Sequence, residues 1–344
     1  MKKILQDLSF DELKILVADL GEKPFRAQQL AEGLTRGKRI SEINIPPNMR
    51  ERLLSEYEDE PVKVERIFTS SDGTEKYLFR LADGNLIEGV LMKYKYGYTQ
   101  CVSTQVGCRM GCKFCASTLQ GLVRNLTSGE ILSQVLKVNS LHTDKKERSV
   151  TNIVLMGSGE PLDNYPEVIK FLRNISSADG LNVSPRNISL STCGLVPKIY
   201  DLAEEGLPVN LTISLHQTTD EGRQRTMPIA KKYSIAEILK ACDYYFEKTG
   251  RRYIFEYSLI AGENCDDGKA AELIALMRGR PCHINLIRLN EVEERDLKSV
   301  TPNEANGFLK KLQQGGLSAT LRRSMGSDIG GACGQLRANF IKEE

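Results

Sequence analysis

The sequence predicts an α/β fold in which short strands alternate with helices. Six apolar or β-branched runs recur along the chain, at 101–105, 152–156, 187–191, 210–214, 253–260 and 283–289. Amphipathic stretches with helical periodicity separate them, at 128–141, 165–176, 196–205, 235–248, 269–278 and 302–314. This alternation is typical of parallel βα units with right-handed crossovers. It therefore predicts either a doubly wound sheet or a full or partial barrel.

Two segments of different character precede the βα units. Residues 1–60 predict helices, because a capping-box pattern at Ser9 and Glu12 precedes apolar residues at helical spacing. Residues 61–97 predict a β-hairpin or linker, because alternating runs at 76–81 and 86–92 flank the turn sequence ADGN. We therefore divide the chain into a small N-terminal helical accessory domain (1–60), the hairpin segment (61–97) and an α/β core (98–344).

The composition is that of a globular protein, with 40% hydrophobic and 27% charged residues in 344. The apolar runs are too short to span a bilayer, and no signal-peptide pattern opens the chain, so we expect a cytoplasmic protein without a membrane partner. Nine cysteines in a reducing compartment argue against a disulfide framework, which leaves metal ligation, catalysis or burial. The net charge of +2 neither favours nor excludes a nucleic-acid partner.

Unusual residues follow most of the predicted strands. The runs after successive strands read CRMGCKFC, GSGEP, STCG, SLH and, after the sixth strand, LN. Because parallel βα folds bind ligands at the carboxyl ends of their strands, we expect these segments to converge on one site.

The run CRMGCKFC places Cys108, Cys112 and Cys115 in the spacing C-x3-C-x2-C. Structural zinc usually takes four ligands from two separated pairs, and the sequence offers neither a second pair nor a neighbouring histidine. Three cysteines suit a [4Fe–4S] cluster with one open iron. Zinc ligation and simple burial remain the alternatives.

This spacing, with Phe114 before the last cysteine, resembles the radical S-adenosylmethionine (SAM) superfamily. Further segments, in chain order, are similar to motifs of the RlmN-type adenine-C2 methyltransferases: EGVLMKYKYGYTQCVSTQVGCRMGCKFCAS, MGSGEPLDN, ISLSTCGLVP, LTISLH, RTMPI, FEYSLIAG, CHINLIRLN and DIGGACGQLRA. The resemblance covers 88–338 and includes the N-terminal helices more loosely. It implies a radical SAM (βα)6 partial barrel with a C-terminal catalytic-cysteine loop and a small N-terminal helical accessory domain.

The resemblance also implies residue roles. One [4Fe–4S] cluster would be held by Cys108, Cys112 and Cys115, with SAM at the open iron. SAM contacts would come from Gly159, Glu160, Ser191, Ser214, Leu215, His216 and Asn290. Catalysis would involve a methyl-cysteine intermediate on Cys333, a transient Cys101–Cys333 disulfide, and Glu88 as proton acceptor. The other cysteines at 242, 265 and 282 are expected only to be buried.

The implied activity is methylation of C2 of one adenosine in the peptidyl-transferase centre of 23S rRNA and of the adenosine 3′ of the anticodon in some tRNAs. A flavodoxin-type or other one-electron donor and a monomeric state are expected with it. Candidate RNA contacts are the basic and aromatic run 93–98 and the basic runs 36–39 and 321–323.

The sequence departs from the family pattern at Ser158, at Cys193 and in the segment HQTTDEGR (216–223). Two alternatives to C2 methylation remain. The Cfr-type sibling, which methylates C8 of the same rRNA adenosine, shares the core cysteines. The sequence around ASTLQGLVRNL is more similar to that of the C2 enzymes. A non-catalytic, metal-stabilised RNA-binding module would need neither Cys101 nor Cys333.

Overall fold

The computed structural model describes residues 2–95, 97–142 and 149–336. Its α-helices are α1 (Phe10–Asp19), α2 (Phe25–Thr35), α3 (Pro47–Glu56), α4 (Ser128–His142), α5 (Tyr165–Ser176), α6 (Val196–Glu204), α7 (Asp220–Thr226), α8 (Ile235–Thr249), α9 (Asp267–Met277) and α10 (Pro302–Gln314). Its strands are β1 (Val62–Thr69), β2 (Glu75–Leu81), β3 (Leu86–Tyr94), β4 (Gly97–Cys101), β5 (Gln105–Gly107), β6 (Leu122–Asn125), β7 (Val150–Leu155), β8 (Ile188–Thr192), β9 (Asn210–Ser214), β10 (Tyr253–Leu259), β11 (Cys282–Arg288) and β12 (Ala319–Leu321).

The N-terminal segment is helical, as its capping pattern predicts. The Ser9 hydroxyl accepts from the Glu12 amide at 3.2 Å, and the Glu12 carboxylate accepts from the Ser9 amide at 2.7 Å, so α1 begins with a complete capping box. The helices α1, α2 and α3 pack around an apolar cluster of their own, in which Val17, Leu30 and Leu53 are buried. That this segment is a separate domain stays a prediction.

The main sheet has ten strands in the order β1-β2-β3-β4-β7-β8-β9-β10-β11-β12. From β4 to β12 all pairings are parallel, and neighbouring strands follow one another in the chain. A doubly wound sheet would reverse this order, so the structure confirms the partial-barrel alternative. Among the described residues the sheet has β1 and β12 as its edges and is therefore open.

The predicted hairpin is confirmed as the antiparallel pair β2–β3. It is not isolated, because β3 also pairs antiparallel with β4 and so extends the parallel sheet. The sequence pattern missed β1, β6 and the three-residue strands β5 and β12, and it placed the first parallel strand at 101–105 instead of Gly97–Cys101.

The helices of the βα units cover a core of apolar side chains from the parallel strands. Ile153, Leu190 and Phe255, on three of these strands, are completely buried. Among the described helices none is long and apolar enough to cross a membrane. The carboxyl ends of the parallel strands remain as the polar, loop-bearing edge of the sheet, where the site lies.

Candidate active site

A cavity of ≈ 140 Å³ lies at the carboxyl ends of the parallel strands. The loops that follow these strands line it, so the predicted convergence of the strand-end motifs is observed. The predicted site residues that line it are Cys108, Cys112, Cys115, Gly159, Glu160, Ser191, Ser214, His216, Asn290 and Cys333. Leu215 is fully buried and lies outside the lining; its amide donates to the Glu256 carbonyl at 3.0 Å.

Backbone hydrogen bonds hold the three-cysteine loop in place. The Cys108 amide donates to the Gly121 carbonyl at 2.9 Å, and the Lys113 amide donates to the Thr226 carbonyl at 2.9 Å. The Thr118 hydroxyl donates a hydrogen bond to the Cys115 carbonyl at 2.9 Å. The loop is thus tied both to β6 through its preceding turn and to the end of α7, which fixes where its thiols enter the cavity.

The three thiols suit an iron–sulfur cluster by their chemistry. Burial is the main cause that raises the pKa of each thiol, to about 12 for Cys108 and well above the ordinary value for Cys112. Such thiols lose their protons when they bind a metal as thiolates. Among the described residues no three His, Cys, Asp or Glu side chains converge on one point as ligands of a single ion do. Three thiols from one loop are the donor set that a [4Fe–4S] cluster with one open iron requires.

The segment after β7 combines a strained glycine with a buried carboxylate. Gly159 has φ = +110°, and a Cβ there would lie 2.7 Å from Cβ of Gln105, so only glycine fits. The Glu160 carboxylate accepts from the Leu162 amide at 3.1 Å and from the Cys193 amide at 2.8 Å. Burial raises the pKa of Glu160. Its buried carboxylate is a ready acceptor for an ammonium group in the cavity.

His216, after β9, is a neutral hydrogen-bond donor to the cavity. Its Nδ1 accepts from the Ser258 amide at 3.0 Å, which leaves the proton on Nε2. Burial and then the charge of Arg223 lower its pKa to about 3. Its φ of +59° and the edge of the Phe114 ring, 4.6 Å away between centroids, fix the ring orientation.

The C-terminal loop brings Cys333 to the same cavity. The Gly334 carbonyl accepts from the Ala116 amide at 2.7 Å, and the Cys333 carbonyl accepts from the Asn290 side-chain amide at 3.0 Å. The loop is therefore fastened both to the cysteine loop and to the segment after β11.

A second, smaller cavity of ≈ 30 Å³ is lined by both Cys101 and Cys333. Cys101 is buried at the end of β4, and burial raises the pKa of its thiol; Cys333 is partly buried, and both are free thiols. Because Cys333 lines both cavities, it is placed between the three-cysteine loop and Cys101.

The structure does not bring Glu88 to either cavity. It is buried on β3, and its carboxylate forms an ion pair with Lys76 at 3.3 Å. Residues two and four positions later, Val90 and Met92, point to the same face and line the smaller cavity with Cys101. Glu88 therefore lies on the same strand face as Val90 and Met92, two residues before the first of them.

An ion pair between the two cavities, with Glu256 buried and Arg322 partly buried, was not predicted from the sequence. Arg322 donates to the Glu256 carboxylate at 2.8 Å; Glu256 lines the larger cavity and Arg322 the smaller. The candidate RNA contact at 321–323 stays a prediction; within it, the Arg322 guanidinium is already engaged by a carboxylate 66 residues away. Alternation along β10 offered a weak signal for Glu256, whereas nothing local indicated the pairing.

Other expectations have mixed outcomes. Cys242 and Cys282 are buried as expected, but Cys265 is only partly so. Arg39 pairs with Glu42 at 2.8 Å beside α2, far from the cysteine loop in the chain. Residue 96 of the run 93–98, and the last residues of the resemblance at 337–338, lie outside the described part of the chain.

Comparison with known proteins identifies the family of this chain. Residues 102–274 match the family model of the Radical SAM superfamily. A probable dual-specificity RNA methyltransferase RlmN of Clostridium perfringens (strain SM101 / Type A) is 50% identical over 349 residues, which cover 100% of this chain and 99% of the relative. The protein of the same name from Lachnoclostridium phytofermentans is 49% identical, covering 98% of this chain and 94% of its own.

Solved structures give the same result. A radical SAM methyltransferase from Sphaerobacter thermophilus superposes with a TM-score of 0.94 at 40% identity, covering 97% of this chain and 99% of that one. Streptococcus suis SuiB bound to SAM, at TM-score 0.50 and 13% identity, shares the fold alone and covers 65% of this chain and 50% of its own. The full-length similarity shows that this chain belongs to the radical SAM superfamily and, within it, to the RlmN-type RNA methyltransferases.

Proposed function

We propose that this protein methylates C2 of adenosine in 23S rRNA and in some tRNAs, with Cys333 as the methyl carrier and Cys101 as the thiol that resolves it. The observation that carries the proposal is that Cys333 lines both the cavity of the three-cysteine loop and the cavity of Cys101. A methyl carrier must meet the methyl source on one side and the resolving thiol on the other, and this position meets both needs.

The radical SAM family implies a [4Fe–4S] cluster and SAM. We assign the cluster to Cys108, Cys112 and Cys115, and SAM to the Gly159–Glu160 segment, Ser191, Ser214, His216 and Asn290, with Leu215 supporting them from the core. When bound, these groups supply methyl groups and one-electron chemistry at an sp² carbon that polar attack does not reach. An external one-electron donor of the flavodoxin type would complete the system.

The residues around this site have distinct tasks. The buried Glu160 carboxylate would accept from the ammonium of SAM, while the neutral His216 Nε2–H donates without adding a positive charge beside the sulfonium. Asn290 holds the Cys333 carbonyl and so sets the position of the thiol. The largely apolar lining would limit the water beside reactive species.

Product release is assigned to the smaller cavity. When Cys333 is joined through a methylene to the adenine, the Cys101 thiolate would attack its sulfur; this forms the S–S bond and breaks the S–C bond, and the released carbon takes up a proton. Arg322, on the lining beside both thiols, would stabilise the attacking thiolate. Glu88 is the proposed proton acceptor for C2, from its position on the β3 face.

C2 chemistry is favoured over C8 because relatives along the whole chain are named RlmN. The non-catalytic RNA-binding alternative leaves the placement of Cys333 against both cavities without a purpose.

The test is anaerobic incubation of the reconstituted protein with SAM, reductant and unmodified 23S rRNA or tRNA. Nucleoside mass spectrometry then compares the products with synthetic 2-methyl- and 8-methyladenosine. We expect mainly 2-methyladenosine, lost in Cys333→Ala and retained in the control Cys265→Ala, whose cysteine lines neither cavity. Mainly 8-methyladenosine would refute the C2 assignment, and no methylated adenosine from a cluster-loaded protein would refute the enzyme assignment.

A further inference from the structure

Arg223, in α7, is a completely buried cation without a carboxylate partner. Its side chain is 0% exposed, and its Nη2 donates to two backbone carbonyls, those of Cys193 and, at 3.2 Å, Ser214. Within the described part of the chain, Nε and Nη1 have no hydrogen-bond partner and no acidic side chain forms an ion pair with it. Burial lowers the pKa of the guanidinium, but the ordinary pKa of arginine is so high that the side chain stays charged in a place where charge is costly.

Among the described residues, Asp220 offsets part of this charge without forming an ion pair with Arg223. Asp220 lies one helical turn earlier, but its carboxylate accepts from the Ile235 amide at 2.7 Å at the start of α8. His216 is neutral, and the charge of Arg223 contributes to keeping it so by lowering its pKa. The remaining neighbours that can become negative are the thiols of Cys112 and Cys193, which pack together with Met227.

The guanidinium lies against the segment after β8, which packs on the cysteine loop through Cys193 and Cys112. Gly194 has φ = +98°, and a Cβ there would lie 3.3 Å from Nη2 and 2.7 Å from the Ile238 side chain. The end of α7 also binds the loop directly, because the Thr226 carbonyl accepts from the Lys113 amide at 2.9 Å. Thus α7 holds the buried Arg223 guanidinium beside the cysteine loop, near Cys112.

A cluster bound by three thiolates carries net negative charge, and reduction by one electron increases it. A fixed cation in a low-dielectric setting stabilises the more negative state, and reduction potentials of iron–sulfur clusters depend on such charges. We propose that Arg223 is a positioning residue for the iron–sulfur cluster: its buried charge balances the cluster bound through Cys112 and favours the reduced form. This inference rests on the proposed function, since it takes Cys112 as a cluster ligand.

The experiment is an EPR-monitored redox titration of the reconstituted full-length protein without SAM. We compare wild type with Arg223→Gln, which removes the charge, and Arg223→Lys, which keeps it. Arg251→Gln is the control, because Arg251 is another partly buried arginine with an unpaired Nε among the described residues but lines no cavity of the site. Far-UV circular dichroism and the iron and sulfide content of each variant accompany the titration.

We expect Arg223→Gln to shift the equilibrium between the two cluster states about tenfold toward the oxidised form, which is ~59 mV for one electron. For Arg223→Lys and Arg251→Gln, the equilibrium constant between the oxidised and reduced cluster should stay within about threefold of the wild-type value. If folded Arg223→Gln takes up no cluster while Arg223→Lys does, the charge requirement is also supported.

Two results would overturn the inference. One is an unchanged potential in cluster-loaded Arg223→Gln, including the case in which only its SAM affinity falls. The other is an equal decrease of the reduction potential in Arg223→Lys and Arg223→Gln. That result would assign the effect to the hydrogen bonds with the Cys193 and Ser214 carbonyls. Failure of the proposed function is distinguishable: a wild-type chain that binds no cluster would refute the ligand assignment on which this inference rests, whereas nucleoside analysis tests the methylation itself.

Discussion

Replacing Gly159 with alanine should weaken SAM binding strongly while leaving the fold intact. The added Cβ would lie 2.7 Å from Cβ of Gln105 and 2.8 Å from the Thr104 hydroxyl, and the backbone would have to hold φ = +110°. The Gln105 Cβ cannot move away, because it is fixed by its backbone in β5. The segment must therefore move outward and lose the hydrogen bond from the Glu160 amide to the Gln105 side chain, which measures 2.9 Å.

The cost can be worked out from these contacts. A non-glycine residue in such a conformation costs roughly 1–3 kcal/mol. The lost hydrogen bond adds about 1 kcal/mol. The unbound variant avoids this cost by relaxing, so it is incurred when SAM binding requires the original geometry. A total of about 2–4 kcal/mol corresponds to a Kd increase of roughly 30- to 1,000-fold.

Isothermal titration calorimetry of SAM with the reconstituted protein measures this directly. Gly262→Ala is the matched control: Gly262 has φ = +75°, but a Cβ there meets nothing within 4 Å. We expect the control to lose a little stability and no SAM affinity. A folded Gly159→Ala protein that binds SAM within about threefold of wild type, well under 1 kcal/mol, would refute the assignment of this segment to the nucleotide.

Other substitutions in the two cavities have equally specific outcomes. Arg322→Met leaves Glu256 buried without its partner, so urea unfolding should show a loss of about 3 kcal/mol; no loss would mean that the pair is not formed. Because the pKa of His216 is lowered to about 3, protons bind only the unfolded chain between pH 6.5 and 3, and stability falls as the pH is lowered. Wild type should therefore lose up to about 1.4 kcal/mol per pH unit more than His216→Gln over that range, and equal slopes would contradict a neutral histidine. Cys101→Ala should accumulate a protein–RNA adduct that survives a denaturing gel and disappears with RNase, whereas free methylated RNA would exclude Cys101 as the resolving thiol.

Local patterns predicted much of the fold and of the larger cavity. The alternation of runs predicted the parallel sheet, and the topology of such sheets brings the segments around Cys112, Glu160 and His216 to one edge without further information. The capping box at Ser9 and the hairpin at ADGN could likewise be predicted from the sequence, because each depends on residues only a few positions apart.

What the sequence could not show depends on contacts between distant positions. Arg322 reads as part of a basic surface run, yet it pairs with Glu256 from another strand. Glu88 reads as one charge in an alternating strand, and its partner Lys76 lies across the hairpin. Arg223 lies in a segment that looks like an exposed polar turn, although it is completely buried. Burial of a charged side chain follows from the packing of α7 against the cysteine loop, which no local pattern encodes.

The most direct test of the central claim is to locate the methyl group on the protein. The reconstituted enzyme is incubated with SAM labelled as trideuteromethyl, without RNA, and digested with trypsin. Cys333 then lies in the peptide 324–337, of which it is the single cysteine, whereas Cys101 shares the peptide 96–109 with Cys108. We predict that the labelled methyl group is found on the 324–337 peptide and is absent from it in Cys333→Ala. A label on the 96–109 peptide, or on neither, would contradict the assignment of Cys333 as the methyl carrier.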